Sequence, residues 1–319
     1  MERAAPFAAR AAACACALAF ASCGAHAAAA PDARSQDSAA TSTTMSSGIA
    51  VGVLVRREPL RVGVRASRAS ENELAIVGKD AGARAALISG QANEVRVEEI
   101  LGIGHGETSK LRVTYEKSTT IVLAPADQKG VYASAVDGKS YIVERAGDGG
   151  DARVRVTDER GERPKGPEVE TVLRDYGDLG RASSVSSAIP STPLRQGDRV
   201  PSLAAAIRAR LDERRTAKID ALEARVGETR VVDGARCVVF ELAGRMTLAM
   251  HANVTFDLRG EYVVRVDDGW ETNFELIGAP TSDVATRVED RMPIAIERAK
   301  TRFRFTSSAT YTEPQSAPR

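Results

Sequence analysis

The chain has 319 residues, with 44 lysines and arginines against 43 aspartates and glutamates, and it has four cysteines. Three of the cysteines lie in the first 23 residues, so the remainder holds only Cys237. A disulfide framework and a cysteine-based zinc site are therefore excluded from the folded region, because each needs several thiols. The balanced charge argues against general nucleic-acid binding, which depends on many cations that neutralise phosphates.

The N-terminus has the features of a secretory signal. Arg3 and Arg10 precede an uncharged, alanine-rich run over residues 11–22. This run is too short to cross a bilayer as a helix, which needs about 20 residues. It matches the apolar region of a signal peptide, so we predict a signal peptide over residues 1–22.

The end of the apolar run resembles the lipobox of bacterial lipoproteins. In Phe20-Ala21-Ser22-Cys23-Gly24, two small residues precede a cysteine, as they do in that motif, although Phe20 stands where leucine is usual. The resemblance implies that the chain is cut between Ser22 and Cys23 and that the Cys23 thiol carries a diacylglycerol. Gly24 is not a retention signal in that family, which implies sorting to the outer membrane of a bacterial cell envelope.

An alternative cleavage site follows the lipobox. Ala25-His26-Ala27 has the small-x-small pattern of ordinary signal peptidase sites, and cleavage there yields a soluble periplasmic or secreted protein. Under the lipoprotein hypothesis, residues 23–47 form a lipid-anchored flexible linker, because their Ala, Ser, Thr and Pro composition lacks an apolar period. Such a linker has a root-mean-square reach of about 27 Å.

Residues 48–319 are predicted to form a β-rich globular region, because apolar residues alternate with polar ones along several segments. The alternating apolar sets are Leu111, Val113 and Tyr115; Val154 and Val156; Tyr262, Val264 and Val266, then Trp270, Phe274 and Leu276; and Phe303 and Phe305. Asp268-Gly269 joins two of these runs and predicts a hairpin. Further tight turns are expected at Asp137-Gly138, Arg160-Gly161, Asp233-Gly234 and Arg259-Gly260.

Two short segments have helical spacing instead. The predicted helices are marked by Val169, Val172, Leu173 and Tyr176, and by Leu203, Ile207 and Leu211 after Pro201-Ser202. Because the strands do not alternate with helices, the expected class is α+β and predominantly antiparallel, with a curved sheet or sheets and a few short amphipathic helices.

A weak internal similarity favours two related β meanders. Residues 136–143 resemble residues 232–239, 96 positions later, and residues 158–161 resemble residues 257–260, 99 positions later. The alternative explanation is that Asp-Gly turns recur wherever hairpins occur. The first interpretation places a sub-boundary near residues 190–201, and the second allows one continuous sheet.

Candidate catalytic and metal-binding residues do not form a recognised motif. His105 and His251 have no His or Cys three or four positions away, and the glycine-rich segment before Lys110 lacks the spacing of a phosphate-binding loop. Residues 267–271 hold three carboxylates without EF-hand spacing, which favours a solvated turn. Cys237 is expected to be an inert thiol packed inward from a strand. We therefore predict no catalytic, metal or cofactor-binding residue.

Three functions remain under consideration from the sequence. The first is a membrane-tethered, non-enzymatic module that has a structural role or docks an envelope protein. The second is a lipoprotein that binds a lipid or another apolar ligand, which rests only on analogy between folds. The third is a secreted hydrolase whose catalytic residues lie far apart in sequence.

Overall fold

A computed structural model describes residues 52–56, 61–79, 86–124, 129–147, 153–180, 185–212, 217–249, 252–287 and 291–313. The predicted signal peptide, the proposed cleavage and lipidation site at Ser22 and Cys23, the linker and His251 lie outside these residues.

The described chain consists mainly of β-strands. Before the helices lie β1 (Arg65–Val77), β2 (Ala86–Gly104), β3 (Glu107–Ala124), β4 (Gly130–Ala133), β5 (Lys139–Ala146) and β6 (Arg153–Asp158). The helices are α1 (Gly166–Tyr176) and α2 (Pro201–Asp212), with a 3-10 turn at Val185–Ala188 between them. After them lie β7 (Ala217–Val232), β8 (Ala235–Ala249), β9 (Ala252–Arg265), β10 (Glu271–Pro280), β11 (Val284–Arg287), β12 (Pro293–Ala295) and β13 (Arg302–Thr312).

These strands form one open, curved, antiparallel sheet, which confirms the predicted α+β class. Its main order is β7-β8-β9-β10-β13-β1-β2-β3-β5-β6, while β4 pairs with β3, and β11 pairs with both β9 and β12. The strands before the helices and those after them therefore belong to the same sheet.

The C-terminal strand β13 joins the two runs of strands. It pairs with β1 along one edge and with β10 along the other. Phe303 and Phe305 point into the core from this strand and are both 2% exposed. The predicted strand near the C-terminus is confirmed, and its position makes the sheet continuous.

Both predicted helices are confirmed, and both lie on one face of the sheet, which we call the inner face. α2 begins at Pro201, where the missing N–H and fixed φ favour a helix start. It buries Leu203, Ile207 and Leu211 in a large apolar cluster with β1, β2 and β7–β11 and the phenylalanines of β13. α1 buries Val172 and Tyr176 in a second apolar cluster with β2, β3, β5 and β6.

Most of the predicted turns are confirmed. Asp233-Gly234 and Asp268-Gly269 close the β7–β8 and β9–β10 hairpins, and Gly138 and Gly161 also adopt positive φ in turns. The turn predicted at Arg259-Gly260 is wrong, because both residues lie inside β9. A Cβ at Gly260 would collide with the backbone carbonyl of Glu275 on β10, so glycine there permits a close approach of strands.

Candidate functional site

The centre of the inner face is polar. On β2, the alternating residues Glu94, Arg96 and Glu98 point inward, and Arg96 and Glu98 are only 0% and 5% exposed. Val95 and Val97 between them are half-buried on the outer face. Because side chains alternate between the faces of a strand, this register places charges where apolar residues would ordinarily lie.

Arg96 is at the centre of a buried charged cluster. Its guanidinium lies 3.0 Å from Glu94, 3.1 Å from Glu98 and 3.4 Å from Asp175. The guanidinium carbon also lies 5.0 Å from the centre of the Tyr176 ring, within cation–π range. Three carboxylates therefore surround one fully buried cation, as burial of a charge requires.

Glu98 links two arginines on neighbouring strands. Arg68 on β1 stands directly opposite Arg96 on β2, and two like charges in that position repel each other. Glu98 separates them by accepting hydrogen bonds from Arg68 Nε at 2.6 Å and from Arg96 Nε at 3.1 Å. Burial acts to raise the pKa of Glu98, but the two arginines and the hydrogen bond from Tyr176 outweigh burial and lower it.

Helix α1 is attached to this cluster by its last turn. The Tyr115 hydroxyl donates to Asp175 Oδ2 at 2.9 Å, and the Tyr176 hydroxyl donates to Glu98 Oε1 at 2.6 Å. Burial raises the pKa of both tyrosines, and their acidic neighbours add to the effect. Both phenols therefore remain protonated donors over the physiological pH range.

The first turn of α1 is attached in the same way. Glu168 accepts hydrogen bonds from the Tyr141 hydroxyl at 2.8 Å and from Lys139 Nζ at 3.1 Å. Burial acts to raise the pKa of Glu168, but these two donors outweigh it and lower the pKa. Polar contacts thus hold both ends of the helix on the sheet.

The polar region continues toward α2. A bulge between Glu271 and Asn273 turns Glu271 inward, where its carboxylate pairs with Arg210 of α2 at 3.2 Å. The Tyr311 hydroxyl donates to the Glu271 carbonyl at 2.8 Å, and its ring lies 4.7 Å from that of Trp270. Polar residues of the inner face therefore contact both helices. The cluster around Arg96 contacts Asp175 and Tyr176 of α1, and Glu271 contacts Arg210 of α2.

The residues singled out from the sequence are not part of this cluster. His105 is exposed at the tip of the β2–β3 hairpin, where the glycine-rich segment forms the expected β connection. Cys237 is a buried free thiol on β8, as expected, but it lies on the outer face beside Val239 and Val263 and does not point into the inner-face core; burial raises its pKa. Among the described residues, no group of three or more His, Cys, Asp or Glu side chains could hold a metal ion.

The carboxylates of residues 267–271 are less solvated than expected. Asp267 is exposed, but Asp268 is only 8% exposed and pairs with Arg265 at 2.9 Å. Glu271 is half-buried against Arg210. The expected solvated turn is therefore corrected, because Arg210, which is distant in sequence, and Arg265 at the end of β9 supply partners to two of its three carboxylates.

Neither α1 nor α2 is long and apolar enough to cross a membrane, and the same holds for every helix in the described part of the chain.

Comparisons with known proteins do not assign the chain to a family. No protein-family model matches it, and no curated protein sequence matches it. A crystal structure of an outer membrane channel from Pseudomonas putida F1 aligns with a TM-score of 0.20 and 9% identity, over 79% of this chain and 97% of that chain. The structure of P47 from Clostridium botulinum A2 aligns with a TM-score of 0.15 and 8% identity, over 76% and 80%. At these scores neither similarity supports an inference about fold or function.

Proposed function

We propose that this chain is a cell-envelope lipoprotein whose folded region is a non-enzymatic structural or partner-docking module. Cleavage after Ser22 leaves Cys23 as the lipidated N-terminus, and Gly24 directs the protein to the outer membrane. The lipobox-like sequence supports the anchor. Two or three acyl chains hold a protein firmly on a membrane, whereas a single chain binds reversibly.

The observation that carries the docking role is the filled inner face. Beneath α2, the side chains of Phe240, Phe256, Phe274, Phe303 and Phe305 are at most 2% exposed and pack against one another. Beneath α1, the buried charged cluster around Arg96 lies between that helix and the sheet. Because these described side chains pack against one another on the inner face, we place the contacts with other molecules on the surface.

The outer face of the sheet carries charged pairs, beside a small buried apolar cluster of Cys237, Val239 and Val263 on β8 and β9. Cross-strand pairs of opposite charge recur along this face, namely Arg65–Glu99, Arg112–Glu99, Arg302–Glu73, Arg304–Glu275, Arg230–Glu261 and Arg245–Asp257. Exposed pairs of this kind contribute about 0–1 kcal/mol each to stability. Charged groups that contribute little to the fold are free to contribute specificity toward a partner.

The anchor is tested by metabolic labelling with a palmitate analogue in a bacterial host. We expect the wild-type chain to be labelled and to sediment with membranes, and Cys23→Ala to lose both properties. Cys14→Ala is the matched control, because it removes a leader cysteine that cleavage discards. Label that survives in Cys23→Ala contradicts the proposal, and an unlabelled, soluble wild-type chain supports cleavage after Ala27 instead.

The docking role is tested by crosslinking in native membranes followed by purification of the chain. Capture of one envelope protein in constant ratio supports docking. The lipid-binding alternative predicts that delipidated protein takes up a fluorescent fatty acid in a saturable manner. Saturable uptake without a crosslinked partner would replace the docking proposal with that alternative, and turnover of ester substrates would favour the hydrolase alternative.

A further inference from the structure

Strand β6 lies at one end of the sheet and has an open backbone edge. Within the described residues it pairs with β5 alone. The Asp158 N–H donates to the Glu162 carbonyl at 2.9 Å, so it points away from β5. Because backbone groups of residues two apart point to the same edge of a strand, Val154 and Val156 also direct their N–H and C=O groups away from β5. We call this edge of residues 153–157 the β6 edge.

The opposite end of the sheet is partly covered by the chain itself. The Gly197 N–H donates to the Val226 carbonyl on β7 at 2.7 Å, and the Val226 N–H donates to the Asp198 carbonyl at 2.9 Å. In the part of the chain that the structure describes, no segment bonds to the β6 edge in this way at residues 153–157. The β6 edge is therefore the end of the sheet at which a further strand can be added.

The β6 edge is basic on its outer face. Arg153 and Arg155 alternate with the two valines, and both are exposed. Glu144 lies directly opposite Arg155 on β5 but pairs with Lys110 at 3.2 Å, and neither arginine has an ion-pair partner among the described side chains. Over residues 153–165 the sequence has five cations against three carboxylates. Acidic groups of a partner are complementary to this edge.

The β6 edge is apolar on its inner face. Val156 is buried in the apolar cluster beneath α1, and Val154 is half-buried against that cluster. Leu173 of α1 and Leu179 are also half-buried against it. The Leu179 carbonyl accepts a hydrogen bond from Arg145, which is the residue opposite Val154 on β5. An added strand would therefore meet arginines on its outer face and apolar side chains on its inner face.

We propose that the β6 edge accepts an added β-strand from an envelope partner, and that this strand is an extended segment in which acidic and aliphatic side chains alternate. The proposal rests on the docking function proposed above and names its site and the chemistry of its partner. The acidic side chains pair with Arg153 and Arg155, and the aliphatic side chains cover Val154. Backbone hydrogen bonds to Val154 and Val156 supply affinity, and the alternating side chains supply specificity.

A second copy of this chain fits the β6 edge poorly. Two β6 strands that pair with each other bring the arginines of one copy beside those of the other, and like charges on neighbouring strands repel each other. Charged side chains on a short edge strand prevent such pairing between identical chains. An acidic strand replaces this repulsion with attraction.

The charge complementarity is tested by binding of short fluorescent peptides to the full chain in detergent micelles. In one peptide glutamate alternates with valine, and in the other lysine alternates with valine. We expect saturable binding of the glutamate peptide and at least about tenfold weaker binding of the lysine peptide. The double variant Arg153→Glu/Arg155→Glu should reverse this preference. Arg245→Glu/Arg259→Glu, which makes the same change in net charge at exposed sites on β8 and β9, should retain it.

The backbone pairing is tested at Val154. Val154→Pro removes an N–H that β5 does not use, and proline is tolerated on an edge strand at such a position. Val154→Ala is the matched control, because it loses the same side chain and keeps the N–H. The glutamate peptide should bind Val154→Pro at least about tenfold more weakly than Val154→Ala, because the proline ring removes a hydrogen bond and blocks the incoming strand. Circular dichroism checks that every variant is folded.

Several results would overturn the proposal. These are no saturable binding up to about millimolar peptide, equal losses in the two charge-reversed chains, and equal binding to Val154→Pro and Val154→Ala. Self-association of the wild-type chain that Val154→Pro abolishes would identify a second copy as the occupant instead.

Crosslinking in native membranes separates failure of this site from failure of the docking function. We expect Arg153→Glu/Arg155→Glu to lose the crosslinked envelope partner. A partner that crosslinks equally to this variant and to the wild type overturns the β6 edge as the site and leaves the docking function standing. A wild-type chain that crosslinks to no partner contradicts the docking function itself.

Discussion

Arg96 explains why charged residues are tolerated in the interior of this sheet. A buried ion pair adds little stability compared with apolar residues of similar size, but loss of one partner leaves an uncompensated charge. Arg96 has three carboxylate partners within 3.4 Å, so its removal affects several buried acids at once. The cluster therefore fixes the position of α1 on the sheet more than it adds to total stability.

Replacement of Arg96 by methionine should destabilise the fold strongly. We expect Arg96→Met to lower the free energy of unfolding by about 3–5 kcal/mol, because Glu94, Glu98 and Asp175 lose their common cation. Urea denaturation measures the effect. Arg245→Met is the matched control on β8, since its pair with Asp257 is more than half exposed, and it should change stability by less than about 1 kcal/mol. Equal effects of the two substitutions would contradict a structural role for the cluster.

Glu98 makes stability depend on acid pH. Its pKa is lowered in the folded chain relative to the ordinary value of 4.5, so the folded state binds fewer protons there than the unfolded state does. Its contribution is therefore complete above pH 4.5 and is lost as the pH falls through the lowered pKa. Urea midpoints measured from pH 7 to pH 3 should fall less steeply in Glu98→Gln than in the wild type. Glu170→Gln, which removes an exposed carboxylate, should retain the wild-type profile.

At the scale of elements, β2 shows where sequence patterns mislead. In Glu94-Val95-Arg96-Val97-Glu98, the valines alternate with charges, and the pattern by itself favours buried valines. The structure has the opposite arrangement, because antiparallel pairing with β1 and β3 sets the register. A cluster of this kind is detectable in sequence only if the charged alternation on β2 is matched to acidic residues of α1, which lie about 80 positions away.

The turn of the β9–β10 hairpin could be predicted from Asp268-Gly269, but its close contact with the backbone of Arg56 could not. Gly269 has φ of +76°, and a Cβ there would lie 2.7 Å from the carbonyl oxygen of Arg56. Gly269→Ala should therefore destabilise the fold by about 1–3 kcal/mol, as measured by thermal or urea unfolding. Gly166→Ala is the control, because a Cβ at that helix position meets nothing within 4 Å, and it should be neutral or slightly stabilising. A neutral Gly269→Ala would show that the turn tolerates a side chain.

At the scale of the whole molecule, β13 decides that the chain folds as one sheet. It pairs with β1 from the run before the helices and with β10 from the run after them, so the β1–β13 ladder joins the two runs. Leu74 on β1 and Leu276 on β10 meet its phenylalanines in one apolar cluster. The two runs of strands should therefore lose structure together.

Phe305→Ala tests this coupling. Truncation of a buried phenylalanine should lower the free energy of unfolding by about 3–5 kcal/mol. Hydrogen exchange should show the same loss of protection in the β1–β2 and β9–β10 ladders, because both depend on β13. Loss of protection in only one ladder would support two domains with a boundary near residues 190–201. Unequal denaturant midpoints for the two ladders in the wild-type chain would lead to the same conclusion.

The class of the fold, the two helices, most of the turns and the strands with clear alternation could be predicted from the sequence, because these depend on local propensity and on periodicity along the chain. The sequence also carries the lipobox-like motif on which the proposed location rests. The register of β1 and β2, the place of β13 between the two runs of strands, and the contact of Arg96 with Asp175 emerge only in the folded chain. Those features depend on pairing between residues far apart in the chain, and local sequence does not encode which distant partner satisfies a buried charge.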